Sequence, residues 1–195
     1  MTPNIKNDIV LETERLTLRR FTDTTADAEL VFEMDSDPEV MRYIGPFGLP
    51  SVEAYRERIR TVWLPQYTHP VRGCLAVTEK ASGQFCGWIF LRPATEYRFA
   101  TEAGWTRNTD MELGYRLRRA VWGRGYATEV AIPVVQLTLA DPTVTCVVAA
   151  ALVPNRASTR VMEKAGLSRI REFSVAGYAD PMVMYAACRE GCSPP

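Results

Sequence analysis

The stretch WGRGYATE, residues 122–129, places two glycines one residue apart, directly before a segment with the pattern of a helix. A helix N-terminus presents unpaired backbone N–H groups and the positive end of the peptide dipole, and both favour an anion. Glycine lacks a Cβ, so a phosphate can approach the main chain closely. The amides from Gly123 to Thr128 therefore have the pattern of a phosphate-binding loop. A plain tight turn without a ligand also fits these two glycines.

Two other phosphate-binding motifs do not fit this stretch. A P-loop requires GxxxxGKS or GxxxxGKT, and the sequence contains no such string. A dinucleotide fingerprint, GxGxxG, has a third glycine near the first strand of a βαβ unit, whereas Thr128 occupies that position here. The stretch alone leaves a phosphate site and a plain turn both open.

Strand and helix patterns alternate on both sides of this stretch. Alternation of leucine with polar residues over 11–21 predicts a half-buried strand, and the almost wholly apolar segment 143–152 predicts a central strand buried on both faces. Further strands are expected over 74–79, 85–91, 111–118, 168–175 and 182–187, helices over 24–34, 38–43, 52–63, 125–140 and 155–165, and a loop over 93–110. Pro133 is expected to kink its helix.

Together these elements predict one mixed α/β domain over residues 1–195, with an ordered core over 10–188 and a tail over 189–195. Lys plus Arg and Asp plus Glu each number 23, so no broad electrostatic nucleic-acid binder is indicated. No apolar run of about 18 residues predicts a membrane span, and the first residues lack the apolar core of a signal peptide. We therefore expect a cytoplasmic protein.

The five cysteines form no CxxC pair, which predicts free thiols and no structural metal site. His69 is the sole histidine, so neither a histidine metal cluster nor a Ser-His-Asp triad is expected. Six aromatic side chains are candidates either for a substrate cleft or, more often for this residue type, for the core: Trp63, Tyr67, Trp88, Tyr97, Phe99 and Trp105.

Four ordered stretches together resemble the GNAT superfamily of acyl-CoA N-acyltransferases, and in particular its ribosomal-protein-alanine N-acetyltransferase branch. The superfamily motif is Gln or Arg, two residues, Gly, one residue, then Gly or Ala. Gly125 and Ala127 match its last two positions, and Trp122 replaces the Gln or Arg. The resemblance extends over residues 10–188 and is carried by ETERLTLR (12–19), DPEVMRYIG (37–45), ELGYRLRRAVWGRGYATE (112–129) and VPNRASTRVMEKAGL (153–167).

The resemblance implies a GNAT fold: a single central, mostly antiparallel sheet with flanking helices, splayed between the family's fourth and fifth strands, here 111–118 and 143–152. It implies acetyl-CoA as cosubstrate, with pantetheine bonded by the backbone of the fourth strand and the diphosphate bound by the glycine stretch. Arg118, Arg119 and Arg124 are each either phosphate ligands or solvated surface arginines. The implied cofactor residues are Tyr115, Arg116, Leu117, Arg118, Gly123, Arg124, Gly125, Tyr126, Ala127, Thr128, Asn155 and Ser158.

The reaction that the resemblance implies is direct attack of a neutral amine on the thioester in a ternary complex. Glu112 is the candidate general base, and a structural acid paired with an arginine is the alternative. The family's proton-donating tyrosine is replaced by Met162, so Ser158 becomes the candidate for holding or protonating the leaving sulfur. Asn155 also suits a helix N-cap.

The implied function is acetyl transfer to a primary amine, such as the N-terminal alanine of a protein. A small-molecule amine, whether an antibiotic or an amino-acid-like compound, and a non-catalytic acyl-CoA-binding module remain alternatives. Segments 45–70 and 93–110 lie on the acceptor side and carry no motif that identifies the acceptor. Neither nucleic acid nor a membrane is an expected partner, and a homodimer is left open.

Overall fold

The computed structural model describes residues 9–45, 48–67 and 72–195. Eight strands form one sheet in the order β1-β2-β3-β4-β5-β6-β8-β7. The pairs β1–β2, β2–β3, β6–β8 and β7–β8 are antiparallel, and β5–β6 is parallel. The strands are β1 (Ile9–Glu12), β2 (Leu16–Arg20), β3 (Gly73–Glu79), β4 (Phe85–Pro93), β5 (Asp110–Leu117), β6 (Cys146–Leu152), β7 (Ser168–Phe173) and β8 (Met182–Cys188). The predicted mixed α/β fold with a mostly antiparallel sheet is confirmed.

The helices begin where the sequence places capping side chains. Thr24, Asp37, Ser51 and Asn155 each accept a hydrogen bond from a backbone N–H of the helix that follows. The helix after Ser51 continues as a π-helical turn over Ile59–Trp63 and a 3-10 turn over Leu64–Gln66. The α-helices are α1 (Thr25–Asp35), α2 (Pro38–Met41), α3 (Val52–Arg58), α4 (Ala100–Ala103), α5 (Tyr126–Ala140) and α6 (Arg156–Lys164).

The chain forms two compact units, one running up to Phe90 and again over Tyr115–Tyr126, the other over Leu91–Gly114 and Ala127–Pro195. In the first unit, α1 packs against α3 over a core that contains the fully buried Phe21 and Ile59. In the second unit, the indole N–H of the buried Trp105 donates to the sulfur of Met184 at 2.7 Å.

The candidate aromatic side chains lie mainly against these cores. Trp88 and Trp105 are 8% and 2% exposed. Trp63 packs against Phe21 with ring centroids 4.9 Å apart, and the Tyr67 hydroxyl donates to the Cys74 carbonyl. Tyr97 packs on Trp105 at 4.8 Å and against Phe99 at 5.5 Å. The core alternative thus accounts for most of this set.

The single strand expected over 11–21 is wrong. It consists of β1 and β2, which pair as a hairpin. Thr13 N–H donates to the Leu16 carbonyl at 2.9 Å, and Leu16 N–H donates to the Thr13 hydroxyl at 3.1 Å. These bonds close the chain on itself because a threonine hydroxyl can replace a backbone partner in a turn.

Two further segments refine the expectations. The predicted loop over 93–110 contains a 3-10 turn at Ala94–Glu96 and the short helix α4, which ends at Gly104 with φ of +70°. Helix α5 runs without a break across Pro133. The central strand β6 is buried along almost its whole length, as its apolar sequence predicts.

The expectation of free thiols is wrong for two of the five cysteines. Cys146 on β6 lies directly opposite Cys188 on β8, and the structure joins them in a disulfide. Cys74, Cys86 and Cys192 are not part of a disulfide among the described residues. The two bonded residues are 42 apart in sequence, so only the strand register brings them together.

The family's fourth and fifth strands correspond to β5 and β6. Their ladder covers only Asp110↔Cys146, Met111↔Val147 and Glu112↔Val148. Between residues 72 and 195 the ladder includes no later pair, although β5 continues to Leu117 and β6 to Leu152. The early end of this ladder is what divergent strands produce.

Candidate active site

The glycine loop, residues 118–126, begins directly after β5. A 3-10 turn over Arg119–Val121 leads into Gly123 and Gly125, whose φ angles are +77° and +80°. Side-chain-bearing residues rarely adopt such angles, so the backbone path requires glycine at both positions. A Cβ added to Gly123 would meet nothing within 4 Å. The open space at this turn, followed by the N-terminus of α5, suits an approaching anion.

Trp122 stands where the superfamily motif has Gln or Arg. Its indole N–H donates to the Leu117 carbonyl at 2.8 Å, while 48% of the residue remains exposed. The indole therefore ties the start of the loop to the end of β5. The loop gains a fixed geometry without the usual polar residue.

Glu79, at the end of β3, holds the loop from the other side. One of its carboxylate oxygens accepts a hydrogen bond from the Tyr126 hydroxyl and lies 3.2 Å from an Arg124 nitrogen. The other oxygen accepts from the Ser82 hydroxyl at 2.5 Å. The bonds from Ser82 and then Tyr126 lower the pKa of Glu79, so the anchor is a stable carboxylate. The sequence predictions did not include Glu79, because its place beside the loop depends on sheet order.

Arg15 supplies a second guanidinium at the loop. Its Cζ lies 4.7 Å from the centre of the Tyr126 ring, and one of its terminal nitrogens lies 3.7 Å from the position of a Cβ on Gly125. The sequence predictions passed over Arg15, although it lies in the family-like stretch ETERLTLR. The available signal was an arginine within the strand predicted over 11–21.

Three arginines that follow one another closely on β5 and the loop are paired with acids of the α1–α2 region. Arg116 bonds Asp35 at 2.5 Å, with the two side chains 14% and 6% exposed. More exposed pairs join Arg118 to Glu33 at 3.7 Å and Arg119 to Asp37 at 3.3 Å. The structure therefore gives Arg118 and Arg119 carboxylate partners, whereas the sequence also allowed phosphate contacts.

The backbone of β5 divides its hydrogen-bonding groups between its two edges. Arg118 N–H donates to the Cys86 carbonyl at 2.8 Å, and the Arg116 carbonyl lies 2.1 Å from the position of a Cβ on Gly87. Residues 116 and 118 therefore face β4. By the alternation of a strand, the backbone groups of Tyr115 and Leu117 face the opposite edge.

A cavity of about 320 Å³ lies in the first unit beside the 3-10 turn of the glycine loop. Its walls carry carboxylate and guanidinium groups, and the buried side chains of Met34 and Val40 add apolar surface. It is lined by Glu33, Met34, Asp37, Val40, Arg118, Arg119 and Ala120.

In the second unit, the candidate base Glu112 is buried and paired. Its side chain is 8% exposed, and one carboxylate oxygen accepts from Arg92 Nε at 2.6 Å. Burial raises the pKa of Glu112 more than the neighbouring Arg92 charge lowers it. Glu112 therefore has both the arginine partner expected of a structural acid and the raised pKa expected of a general base.

The other predicted residues of the second unit lie at two helix N-termini. The Asn155 side chain caps α6 by accepting from Ser158 N–H at 3.2 Å, as expected. Ser158 lies partly exposed in the first turn, whereas Met162 is 2% exposed. Ala127 and Thr128 lie in the first turn of α5.

Across residues 9–45, 48–67 and 72–195, no group of three or more His, Cys, Asp or Glu side chains is arranged to hold a metal ion. His69 and part of the acceptor-side segment 45–70 lie outside the described residues. No helix in the described part of the chain combines the length and apolar character required to cross a bilayer.

The model of the acetyltransferase (GNAT) domain matches residues 15–168. The chain belongs to the GNAT acetyltransferase family. Members of this family use acetyl-CoA as the cosubstrate of N-acetylation.

Two relatives agree with this GNAT assignment. The FsC-acetyl coenzyme A-N(2)-transacetylase of Aspergillus fumigatus is 32% identical over 146 residues, which are 74% of this chain and 60% of that protein. The chain thus spans less than two thirds of this relative. The uncharacterized N-acetyltransferase YoaA of Bacillus subtilis is 30% identical over 162 residues, covering 82% of this chain and 83% of YoaA.

A solved GNAT structure agrees at the level of the fold. RimL, a ribosomal alpha-N-protein acetyltransferase in complex with coenzyme A, superposes with a TM-score of 0.73. The match covers 94% of this chain and 99% of RimL at 14% identity.

Proposed function

We propose that this GNAT chain transfers the acetyl group of acetyl-CoA to the α-amine of a peptide or peptide-like acceptor, by direct attack in a ternary complex. The observation that carries the proposal is the glycine loop, where two left-handed glycines leave the main chain open ahead of α5. The backbone amides of Arg124–Thr128 bind the diphosphate in this account. Arg15 and Arg124 add charge, which strengthens such hydrogen bonds roughly twofold.

The pantetheine arm is assigned to the edge of β5 that faces away from β4. Its amides pair with backbone groups of Tyr115 and Leu117, as an added strand does. The short ladder between β5 and β6 supports this assignment, because it stops at Glu112. Asn155 and Ser158 at the start of α6 are assigned to the same cosubstrate.

The chemical step forms a C–N bond to the acceptor and breaks the C–S bond of the thioester. Glu112 takes the proton that the amine loses, and Arg92 holds the carboxylate in place. The leaving thiolate takes a proton from water to become the thiol of coenzyme A, and Glu112 returns its proton to water, so the protons balance. Met162 has no proton to give, so the Ser158 hydroxyl is assigned to hold the sulfur by a hydrogen bond.

An α-amine suits this base better than a lysine side chain. Its unperturbed pKa is about 7.7–8.0, against about 10.4 for lysine. Burial raises the pKa of the Glu112 carboxylate, so the pKa difference between base and amine is smaller for an α-amine than for a lysine. The names of two similar proteins, an N(2)-transacetylase and an alpha-N-protein acetyltransferase, support the same choice.

The experiment is calorimetry with acetyl-CoA, followed by a thiol-release assay over alanyl peptides, lysine peptides and simple amines. We expect binding of acetyl-CoA and fastest turnover with free α-amines. Tight binding without turnover or slow hydrolysis would favour a non-catalytic acyl-CoA-binding module. Faster turnover of lysine peptides or simple amines would overturn the α-amine assignment.

A further inference from the structure

A buried ion pair in the first unit contains polar atoms that its surroundings do not satisfy. Asp35 Oδ2 receives both the Arg116 guanidinium, at 2.5 Å, and the Tyr55 hydroxyl, at 2.7 Å. Asp35 Oδ1 and Arg116 Nε are buried and have no partner among the described residues. Hydrogen bonding in this pair is therefore satisfied at Asp35 Oδ2 but not at Asp35 Oδ1 or Arg116 Nε.

Trp88 adds a third such atom to the same place. The Arg116 guanidinium lies over the Trp88 ring, 4.9 Å from its centre. The Trp88 indole N–H is also buried without a partner among the residues that the structure describes. Three of the five side-chain atoms with this property in the described chain thus belong to one cluster of contacting side chains.

Buried polar atoms without a hydrogen bond lower the stability of the folded state, so a cluster of them requires an explanation. A buried donor or acceptor without a hydrogen bond costs about 1–3 kcal/mol, and folded proteins contain few. The surroundings exclude most water, since Tyr55 is only 3% exposed. This burial, and then the bond to Asp35, raise the pKa of Tyr55 to about 12. Three such atoms in one cluster point to a binding partner that is not among the described residues.

A cavity of the same unit is lined by residues that neighbour Asp35 and Arg116 in sequence, although not by these two residues themselves. The cavity in the first unit is lined by Met34 and Arg118, close neighbours in sequence of Asp35 and Arg116. Its volume of about 320 Å³ is roughly ten times the share of one water molecule in the liquid. A segment of a substrate fits that space.

The unsatisfied atoms define the missing group. Asp35 Oδ1 requires one donor, whereas Arg116 Nε and Trp88 Nε1 each require an acceptor. The charges of Asp35 and Arg116 already cancel, so a neutral group is favoured over a carboxylate or an ammonium. A peptide amide and a hydroxyl each offer one donor together with two acceptor lone pairs.

We propose that Asp35, Trp88 and Arg116 form an acceptor subsite that binds a neutral amide or hydroxyl group of the substrate. The inference rests on the proposed function, because Arg116 extends from the part of β5 assigned to pantetheine. Recognition of a peptide bond beyond the α-amine follows directly.

The test compares acceptors that share one amine and differ in the adjoining group: L-alaninamide, L-alaninol, 2-aminobutane and alanyl peptide amides of two and three residues. kcat/KM is measured for the wild type and for Trp88→Phe, which removes the N–H and keeps an aromatic ring. Calorimetry with the coenzyme-A-loaded protein covers compounds that are not turned over. We expect the wild type to prefer an amide or hydroxyl compound over 2-aminobutane, and Trp88→Phe to reduce that preference about tenfold.

Trp105→Phe is the matched control, because the Trp105 N–H already has the Met184 sulfur as its partner. This variant should lower the melting temperature and leave acceptor preference unchanged. Trp88→Phe should bind acetyl-CoA normally. Equal preference in the wild type and Trp88→Phe, or no wild-type preference for any amide or hydroxyl compound, would overturn the subsite. Failure of the wild type to bind acetyl-CoA would instead overturn the proposed function.

Discussion

At the scale of single residues, the candidate cosubstrate site depends on a few backbone and charge features. Gly123 and Gly125 adopt left-handed angles that other residues avoid, and Glu79 fixes Tyr126 and Arg124 beside them. The sequence identified the glycines, because the motif is local. It did not identify Glu79, which lies 45 residues before Arg124 along the chain.

Gly125→Val should abolish measurable acetyl-CoA binding while the fold survives. A side chain at this position fills the space assigned to phosphate, and the left-handed backbone adds about 1–2 kcal/mol of strain. Gly177→Val is the matched control, since Gly177 has φ of +86° and open space around a Cβ. Calorimetry and circular dichroism of both variants test this, and normal binding by Gly125→Val would refute the loop assignment.

Arg15→Gln should weaken coenzyme A binding about tenfold or more and leave pantetheine binding unchanged. Pantetheine lacks the diphosphate, so it does not report a phosphate contact, and hydrogen bonds to charged groups contribute about 1.5–3 kcal/mol. Arg60→Gln serves as the control, because Arg60 lies on the π-helical turn, where it forms an exposed pair with Glu57 of α3. An equal loss for both ligands would indicate a structural role for Arg15.

Glu112→Gln should lower kcat by about 10²–10⁴ and remove the acidic limb of the pH profile. The direction of the Glu112 pKa shift also determines how the stability of the protein changes with pH. The folded pKa of Glu112 is raised, so the native state holds this proton to higher pH than the unfolded state. Stability of the wild type therefore falls as pH rises from the ordinary glutamate pKa, about 4.3, through the raised value.

Melting temperatures across that pH range, measured for the wild type, Glu112→Gln and the exposed-site control Glu172→Gln, test this assignment. Only Glu112→Gln should lack the pH-dependent loss. A pH-independent effect on both kcat and stability would leave Glu112 with a structural role alone.

At the scale of elements, local periodicity predicted most strands and helices well, but it did not predict which strands or cysteines pair. The apolar run of β6 and the cap at Asn155 are both legible in sequence, because each depends on neighbouring residues. The turn that divides β1 from β2 depends on bonds between Thr13 and Leu16, which a period-2 pattern does not reveal. The cysteine pair depends on the register of β6 against β8.

Cys188→Ser should destabilise the oxidised protein by about 2–4 kcal/mol and have little effect under reducing conditions. The disulfide closes a long loop between β6 and β8, and that constraint is lost in the variant. Thiol titration of the denatured wild type should find three reactive thiols before reduction and five after it. Five thiols from the start would show that the bond does not form.

At the scale of the whole molecule, the sequence predicted the family and fold class, and the structure supplied the partners of the charged residues. The sequence did not predict that Arg116, Arg118 and Arg119 pair with acids near α1, because ion pairs between distant segments follow from the fold. The same applies to the cluster of Asp35 and Trp88.

Acetyl-CoA at about 100 times its Kd should stabilise the protein by about 2.7 kcal/mol, since it binds only the folded state. For a chain of this length that corresponds to a rise of about 5–10 °C in melting temperature. Thermal scans with acetyl-CoA, coenzyme A and pantetheine test this. A shift with pantetheine as large as that with coenzyme A would contradict a diphosphate site.

Trp122 gives the protein an intrinsic optical reporter. Its indole is half-exposed and anchored to Leu117, whereas Trp88 and Trp105 are buried. Acrylamide should quench the emission of Trp122 more strongly than that of Trp63, which is only partly exposed, and occupancy of the glycine loop should shield Trp122. Steady-state fluorescence therefore provides a label-free titration of this surface, with Trp122→Phe as its blank.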